Sequence, residues 1–257
     1  MSGLGMVLRQ VRFLNKAFWR NPPAAFFTFA FPLLFLVIFT TLFGSADIVV
    51  NGNEISVATF YIAGIAAFSV VTACYTNIAM SLSFARDLGI LKRIKGTPLP
   101  GWAYLAAKML HSVAIAILLV VICLVFGMLL YDVDLPASSI PALVVSLAVG
   151  AACFSALGMA VTTIVPNADA APAIVNASIL PLLFVSGVFI PMQDPPAWFD
   201  TVGNIFPIRH FSESLQRAFF PPAGGGAFSG VGLAVMAAWG AVGLLIAVRR
   251  FSWEPRR

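Results

Sequence analysis

The side chains placed to do chemistry in this chain are charged, and many of them crowd into one segment. RDLGILKRIKGTPLP, Arg86 to Pro100, holds Arg86, Asp87, Lys92, Arg93 and Lys95 between two long apolar stretches. Punctuated by glycine and proline, such a segment suits ionic recognition rather than bond making. Two readings follow: the basic residues fix topology in a membrane, or they form a surface that grips a partner in water.

Catalytic patterns are missing from the sequence. It contains no G-x-x-x-x-G-K-[ST] phosphate loop, dinucleotide fingerprint, H-E-x-x-H or C-x-x-C pair, and the run Gly224-Gly225-Gly226 lacks the lysine a phosphate site needs. The chain is therefore expected to hydrolyse no nucleotide and to act as no enzyme by itself. His111 precedes Ser112, but no carboxylate in that stretch orients the imidazole as a base, so a hydrogen-bonded histidine near a membrane boundary is expected. Cys74, Cys123 and Cys153 are odd in number, lack metal-ligand spacing and read as small packing residues. No metal site is expected.

The elements that must position these residues follow from composition. With 60% hydrophobic and 10% charged residues among 257, the chain has too little polar surface to cover a soluble globule. About 20 residues of helix cross a hydrocarbon core of about 30 Å. Six stretches qualify: Ala24 to Phe43, Tyr61 to Leu82, Tyr104 to Leu130, Ile140 to Val165, Ala173 to Ile190, and Val231 to Val248. The expected fold is an all-α polytopic membrane protein. No acidic or basic residue lies deep in the spans, which argues against a proton- or sodium-coupled carrier.

Basic residues set the orientation, because cytoplasmic flanks carry the excess of lysine and arginine. Arg9, Arg12, Lys16 and Arg20 precede the first span, and Arg86, Lys92, Arg93, Lys95 and Lys108 lie between or beside the second and third. Arg249, Arg250, Arg256 and Arg257 follow the sixth. The opposite connections carry Asp47, Glu54, Asp132 and Asp134 and no basic residue. Six spans then leave both termini cytoplasmic. The same distribution explains the net charge of +5 without nucleic acid as a partner.

Residues 1–22 form an amphipathic segment with an apolar stripe of Leu4, Val7, Leu8, Val11, Leu14 and Phe18 opposite Arg9, Arg12, Lys16 and Arg20. This predicts a helix on the cytoplasmic leaflet, acting as a lipid anchor, a partner surface or both. Asn21-Pro22-Pro23 breaks it before the membrane domain, residues 23–248. No cleavable signal is read here. Residues 249–257 form a basic tail.

The outer region 191–230 carries Asp194, Asp200, Arg209, His210, Glu213 and Arg217, which exclude a seventh span. Arg209, Glu213 and Arg217 recur at four-residue intervals, while Phe211, Leu215, Ala218 and Phe219 make an apolar face. A short helix is expected there, lying in the outer interface or dipping in and returning.

FARDLGILKRIKGTPLP, Phe84 to Pro100, resembles the cytoplasmic loop of type-2 ATP-binding-cassette exporter permeases. There an acidic and basic pair, a glycine, a leucine, basic residues and Thr-Pro-Leu recur in this order. The stretch SILPLLFVSGVFIPMQDPPAWFDTVGNIFPIRHFSESLQ, Ser178 to Gln216, resembles the same family's C-terminal region. The resemblance covers nearly the whole chain and implies drug or antibiotic efflux across a bacterial plasma membrane.

It also implies a partnership. Two six-span subunits pair, identical or related, and each docks a cytoplasmic ATPase that binds ATP and magnesium; this chain itself binds no cofactor. Docking would use the N-terminal helix and a coupling helix within Leu88 to Lys95, in a loop over residues 86–102. Arg86, Asp87, Gly89, Leu91, Lys92, Arg93, Thr97 and Pro98 carry that assignment. The family commonly has glutamate where this chain has Asp87, so the shorter side chain reaches less far.

The cargo path is read from residues within the spans. Phe27, Phe31, Phe35, Phe39 and Phe43 recur every four residues as an aromatic ridge, which packs helices, faces lipid or walls a route for a hydrophobic drug or lipid-like cargo. Thr76, Asn77, Asn176 and Ser178 are candidate polar linings, or ordinary helix-to-helix hydrogen bonds. A polysaccharide or glycolipid exporter, and a membrane enzyme or scaffold needing no ATPase, are the alternatives.

Overall fold

A computed structural model describes residues 3–44, 46–50, 53–131, 133, 137–189, 196–222 and 226–254. The expectations at Asp132, Asp134, Asp194, Gly224, Gly225, Arg256 and Arg257 lie outside them. Helix α1 (Gly3–Trp19) leads into α2 (Pro22–Phe43), with two prolines at the first helical positions, where no intrahelical amide donor is lost. Then α3 (Val57–Val71) continues through a π-helical turn, Thr72–Thr76, into α4 (Asn77–Asp87), followed by α5 (Ile90–Lys95) and α6 (Gly101–Tyr131). The rest are α7 (Ile140–Val161), α8 (Ala171–Val185), α9 (Ala197–Ile205), α10 (Pro207–Phe219) and α11 (Gly230–Arg250).

Five helices among the described residues are long and apolar enough to cross a membrane: α2, the continuous α3–α4, α6, α7 and α11. The stretch expected as the fifth of six spans, Ala173 to Ile190, forms the 15-residue α8, about 22 Å long and short of a hydrocarbon core. Its physical stop is Gly187, whose φ of 67° is open to glycine at no steric cost. Beyond it Val188 runs so close to α3 that its carbonyl lies beside Gly64, and Phe189 packs on Phe68 at 5.4 Å between ring centroids.

The expected all-α fold is also interrupted. Asp47–Val50 (β1) and Asn53–Ser56 (β2) pair antiparallel, with Val49 opposite Glu54. β-Branched Ile48, Val49, Val50 and Ile55 are the local reason.

The core centres on α3, whose residues are nearly all buried beneath α2, α6, α7 and α10. Small residues allow close helix approach, as membrane bundles require. A Cβ at Gly243 of α11 would stand 3.0 Å from the Leu157 amide nitrogen of α7, and one at Gly158 of α7 would stand 2.7 Å from the Tyr75 carbonyl oxygen. Gly158 therefore seats the π-helical turn. Inside that helix Thr72 donates its hydroxyl to the Phe68 and Ser69 carbonyls at 2.9 and 3.0 Å, a back-bond that competes with the helical ladder.

Helices α9 and α10 form a hairpin that turns back into the bundle. Its tip reaches the middle of α11, where Trp239 Nε1 donates to the Ile205 carbonyl at 2.8 Å and stacks on Phe206. The expected apolar face of α10, Phe211, Leu215, Ala218 and Phe219, is wholly buried, with the Phe211 ring seated against Gly150 of α7. Arg209 pairs with Glu213 at 2.9 Å and with Asp200 of α9, which ties the two arms together. The four-residue spacing also allows a Glu213–Arg217 pair, but among the described residues Glu213 pairs only with Arg209.

Candidate functional site

The charged segment folds as a break, one short helix and a turn. Helix α4 ends at Asp87, and Gly89 takes a φ of 71°, a left-handed conformation that redirects the chain into α5. Leu91 is fully buried in a cluster with Ile78, Leu82, Tyr104, Met159 and Ala247, and half-buried Ile94 packs against the same cluster, so these two side chains anchor α5 to the bundle. Around that anchor Lys92, Arg93 and Lys95 are exposed. Thr97 Oγ1 then donates to the Ile94 carbonyl at 2.7 Å and accepts from the Leu99 amide at 3.3 Å, turning the chain through exposed Pro98 toward α6.

Arg86 and Asp87 point the other way. Arg86 is only 2% exposed, which leaves it no surface for an outside contact. Its Nη1 donates to the carbonyl of Thr162, the C-cap of α7, at 2.8 Å and Nη2 to the Val165 carbonyl in the turn just beyond at 2.5 Å. A cation suits that end of a helix, where carbonyls are unpaired and the dipole is negative. Half-buried Asp87 accepts the Ala168 amide at 3.0 Å. The pair thus clamps the α7–α8 turn to the end of α4, turned away from exposed Lys92, Arg93 and Lys95.

Helix α1 lies beside this turn. Val7 is buried and Val11, Leu14 and Phe18 are half-buried, with Val7, Val11 and Leu14 packed on Ala103 and Ala107 of α6. Leu4 and Leu8 were expected in the same stripe but are 68% and 57% exposed, because α6 covers only one side of the apolar face. Arg9, Arg12, Lys16 and Arg20 are exposed. Between α1 and the turn runs a groove of about 540 Å³, lined by Met6, Arg9 and Gln10 on one side and Ile94, Thr97, Pro98 and Leu99 on the other.

The candidate path residues separate. Phe27, Phe31 and Asn77 line one cleft of about 580 Å³ between α2 and α4, together with Thr72 and Thr76. Phe35 lies farther along α2, packed on Phe68 and Phe189 at 6.1 and 6.2 Å, and Phe39 stacks on Tyr61 at 5.0 Å. That half of the ridge packs helices. Asn176 sits on α8 outside this cleft, and Ser178 is bonded to the Tyr75 hydroxyl at 2.6 Å. Sequence reasoning missed the Arg86–α7 clamp, the Trp239–Ile205 bond and the π-helical turn. A cation and the carbonyl end of a helix are each visible in sequence, but their pairing across 76 residues is not.

Five membrane-length apolar helices among the described residues define a polytopic membrane protein. The ABC-2 type transporter family model matches residues 8–220, and the chain belongs to that family. It is 26% identical over 192 residues to a protein of Cyanophora paradoxa named as transport permease ycf38, a match covering 72% of this chain and 64% of that protein. It is 25% identical over 199 residues to one of Bacillus subtilis named as transport permease YvfS, covering 76% and 78%. A third relative, of Escherichia coli, is named as multidrug ABC transporter permease YbhR and is 23% identical over 157 residues, covering 60% and 42%. The chain thus spans under two thirds of the length of the first and third of these proteins.

Proposed function

We propose that the chain is the membrane subunit of an ATP-driven exporter and that α5 is its coupling helix. The observation that carries this reading is α5 itself: Leu91 and Ile94 fix it to the bundle while Lys92, Arg93 and Lys95 face outward beside the groove against α1. A separate cytoplasmic ATPase subunit, binding ATP and magnesium, docks there with an acidic surface complementary to these cations. Closure of the ATPase pair moves α5, the Arg86–Asp87 clamp carries that movement to the α7–α8 turn, and the bundle tilts. ATP shifts this equilibrium only by its differential affinity for the two states.

In this reading α8 and the residues after it complete six crossings, both termini are cytoplasmic and the membrane is the bacterial plasma membrane. A second permease chain, identical or related, closes the cleft of Phe27, Phe31 and Asn77 into a route for a hydrophobic drug, antibiotic or lipid-like cargo. The apolar, aromatic lining and the multidrug name of the Escherichia coli relative favour that cargo class. The test is reconstitution in lipid vesicles with a candidate cytoplasmic ATPase subunit from the same organism. ATP-dependent movement of a hydrophobic dye is expected, and full activity of the chain without any ATPase would contradict the reading.

A further inference from the structure

On the side of the α3–α4 helix away from the Phe27 cleft, a second crevice opens between α7, α8 and α11, with a volume of about 300 Å³. Its inner wall holds Phe154, Ile179 and Ile208, all buried, and the hairpin tip at Phe206 lies against it. Ile164 and Ile246 also line it and are 64% and 39% exposed, so it opens toward the α11 end that carries Arg249 and Arg250.

The polar groups along its wall are engaged with one another or with the backbone. Tyr75 and Ser178 share a hydrogen bond of 2.6 Å, Thr163 donates to the Ala160 carbonyl at 2.7 Å, and Trp239 donates to Ile205. With no polar group offered to it, water gains little inside, and an apolar guest is favoured. Length selects the guest. From Trp239 to Arg250 α11 rises about 16 Å, close to the half-thickness of about 15 Å that one leaflet's chains fill. Arg250 follows Ile246 by one helical turn, and among the described residues neither Arg249 nor Arg250 forms an ion pair.

We propose that this crevice is a phospholipid site: one acyl chain lies beneath the α9–α10 tip, and an anionic headgroup meets Arg249 and Arg250. The bound chain fills the space that separates the tip from the α7 and α8 walls and so supports the hairpin from below. The inference requires only that the bundle sits in a bilayer; it is independent of the ATPase and of the cargo.

Native mass spectrometry of the purified chain in detergent, with phosphatidylglycerol or phosphatidylcholine added, tests it. One phosphatidylglycerol per chain is expected to be retained, about thirtyfold better than phosphatidylcholine, as two interfacial arginines provide. Arg249→Gln with Arg250→Gln, both at exposed positions, should abolish that preference, and Ala160→Phe, which fills the crevice, should remove the adduct. If Ala160→Phe does not fold, the arginine variant still decides. Absence of a retained phospholipid, equal retention of the two lipids, or an undiminished preference in the arginine variant would overturn the site.

Discussion

Arg86 shows how far a residue's charge can mislead about its direction. It belongs by sequence to the most charged segment of the chain, yet its guanidinium turns inward to two carbonyls at and just beyond the α7 end. Lys92 and Arg93, a few positions on, turn outward. What separates them is Gly89, whose left-handed backbone starts a new helix with a new facing. Arg86→Ala leaves those carbonyls without their cation, and hydrogen bonds from a charged donor contribute about 1.5–3 kcal/mol. The expected result is a fall in thermal midpoint of several degrees in detergent. Arg86→Lys should recover only part of it, since an ammonium cannot span two carbonyls as the planar guanidinium does. An unchanged midpoint for Arg86→Ala would show that the clamp is idle.

At the scale of elements, the long helices were legible because apolar runs of span length admit few alternatives in lipid. The α10 face was equally legible from its period, with Phe211, Leu215 and Phe219 all buried as spaced. The short length of the fifth crossing was not. Its apolar run continues past Val185, and only the packing of Val188 against Gly64 and the turn at Gly187 end the helix early. The β1–β2 hairpin was not read from the sequence, although Ile48, Val49, Val50 and Ile55 carry strand propensity. The hairpin of α9 and α10 depends on its tip, so Trp239→Phe, which keeps the stacking ring but removes the donor to Ile205, should weaken that seat by about 1 kcal/mol. Faster amide hydrogen exchange confined to residues 197–206 would report it; exchange unchanged there would assign the tip's position to packing alone.

In the whole molecule basic residues flank the long apolar runs in sequence, an asymmetry that predicts orientation because lysine and arginine near span ends favour the cytoplasmic side. Phe27, Phe31 and Asn77, read together as a path, do line one cleft, whereas Phe35 and Asn176 do not, because helix packing decides which side chains meet. Orientation is directly measurable in a variant with Cys74, Cys123 and Cys153 replaced by alanine. A cysteine introduced by Lys92→Cys should react with an impermeant maleimide only from the cytoplasmic side, and one introduced by Val49→Cys, at an exposed strand position, only from outside. Labelling of both from one side would remove the proposed topology.

The docking role of α5 is the claim on which the functional account turns, and it reduces to one comparison. The chain and its ATPase subunit are co-expressed, and the amount of ATPase retained on the purified permease is measured for the native protein and for Lys92→Ala with Arg93→Ala. Both side chains are exposed, so the fold should persist. Loss of two cations facing an acidic partner is expected to weaken retention about tenfold, near 1.4 kcal/mol, and to be graded by salt. Retention equal to the native protein at low and high salt would contradict the account.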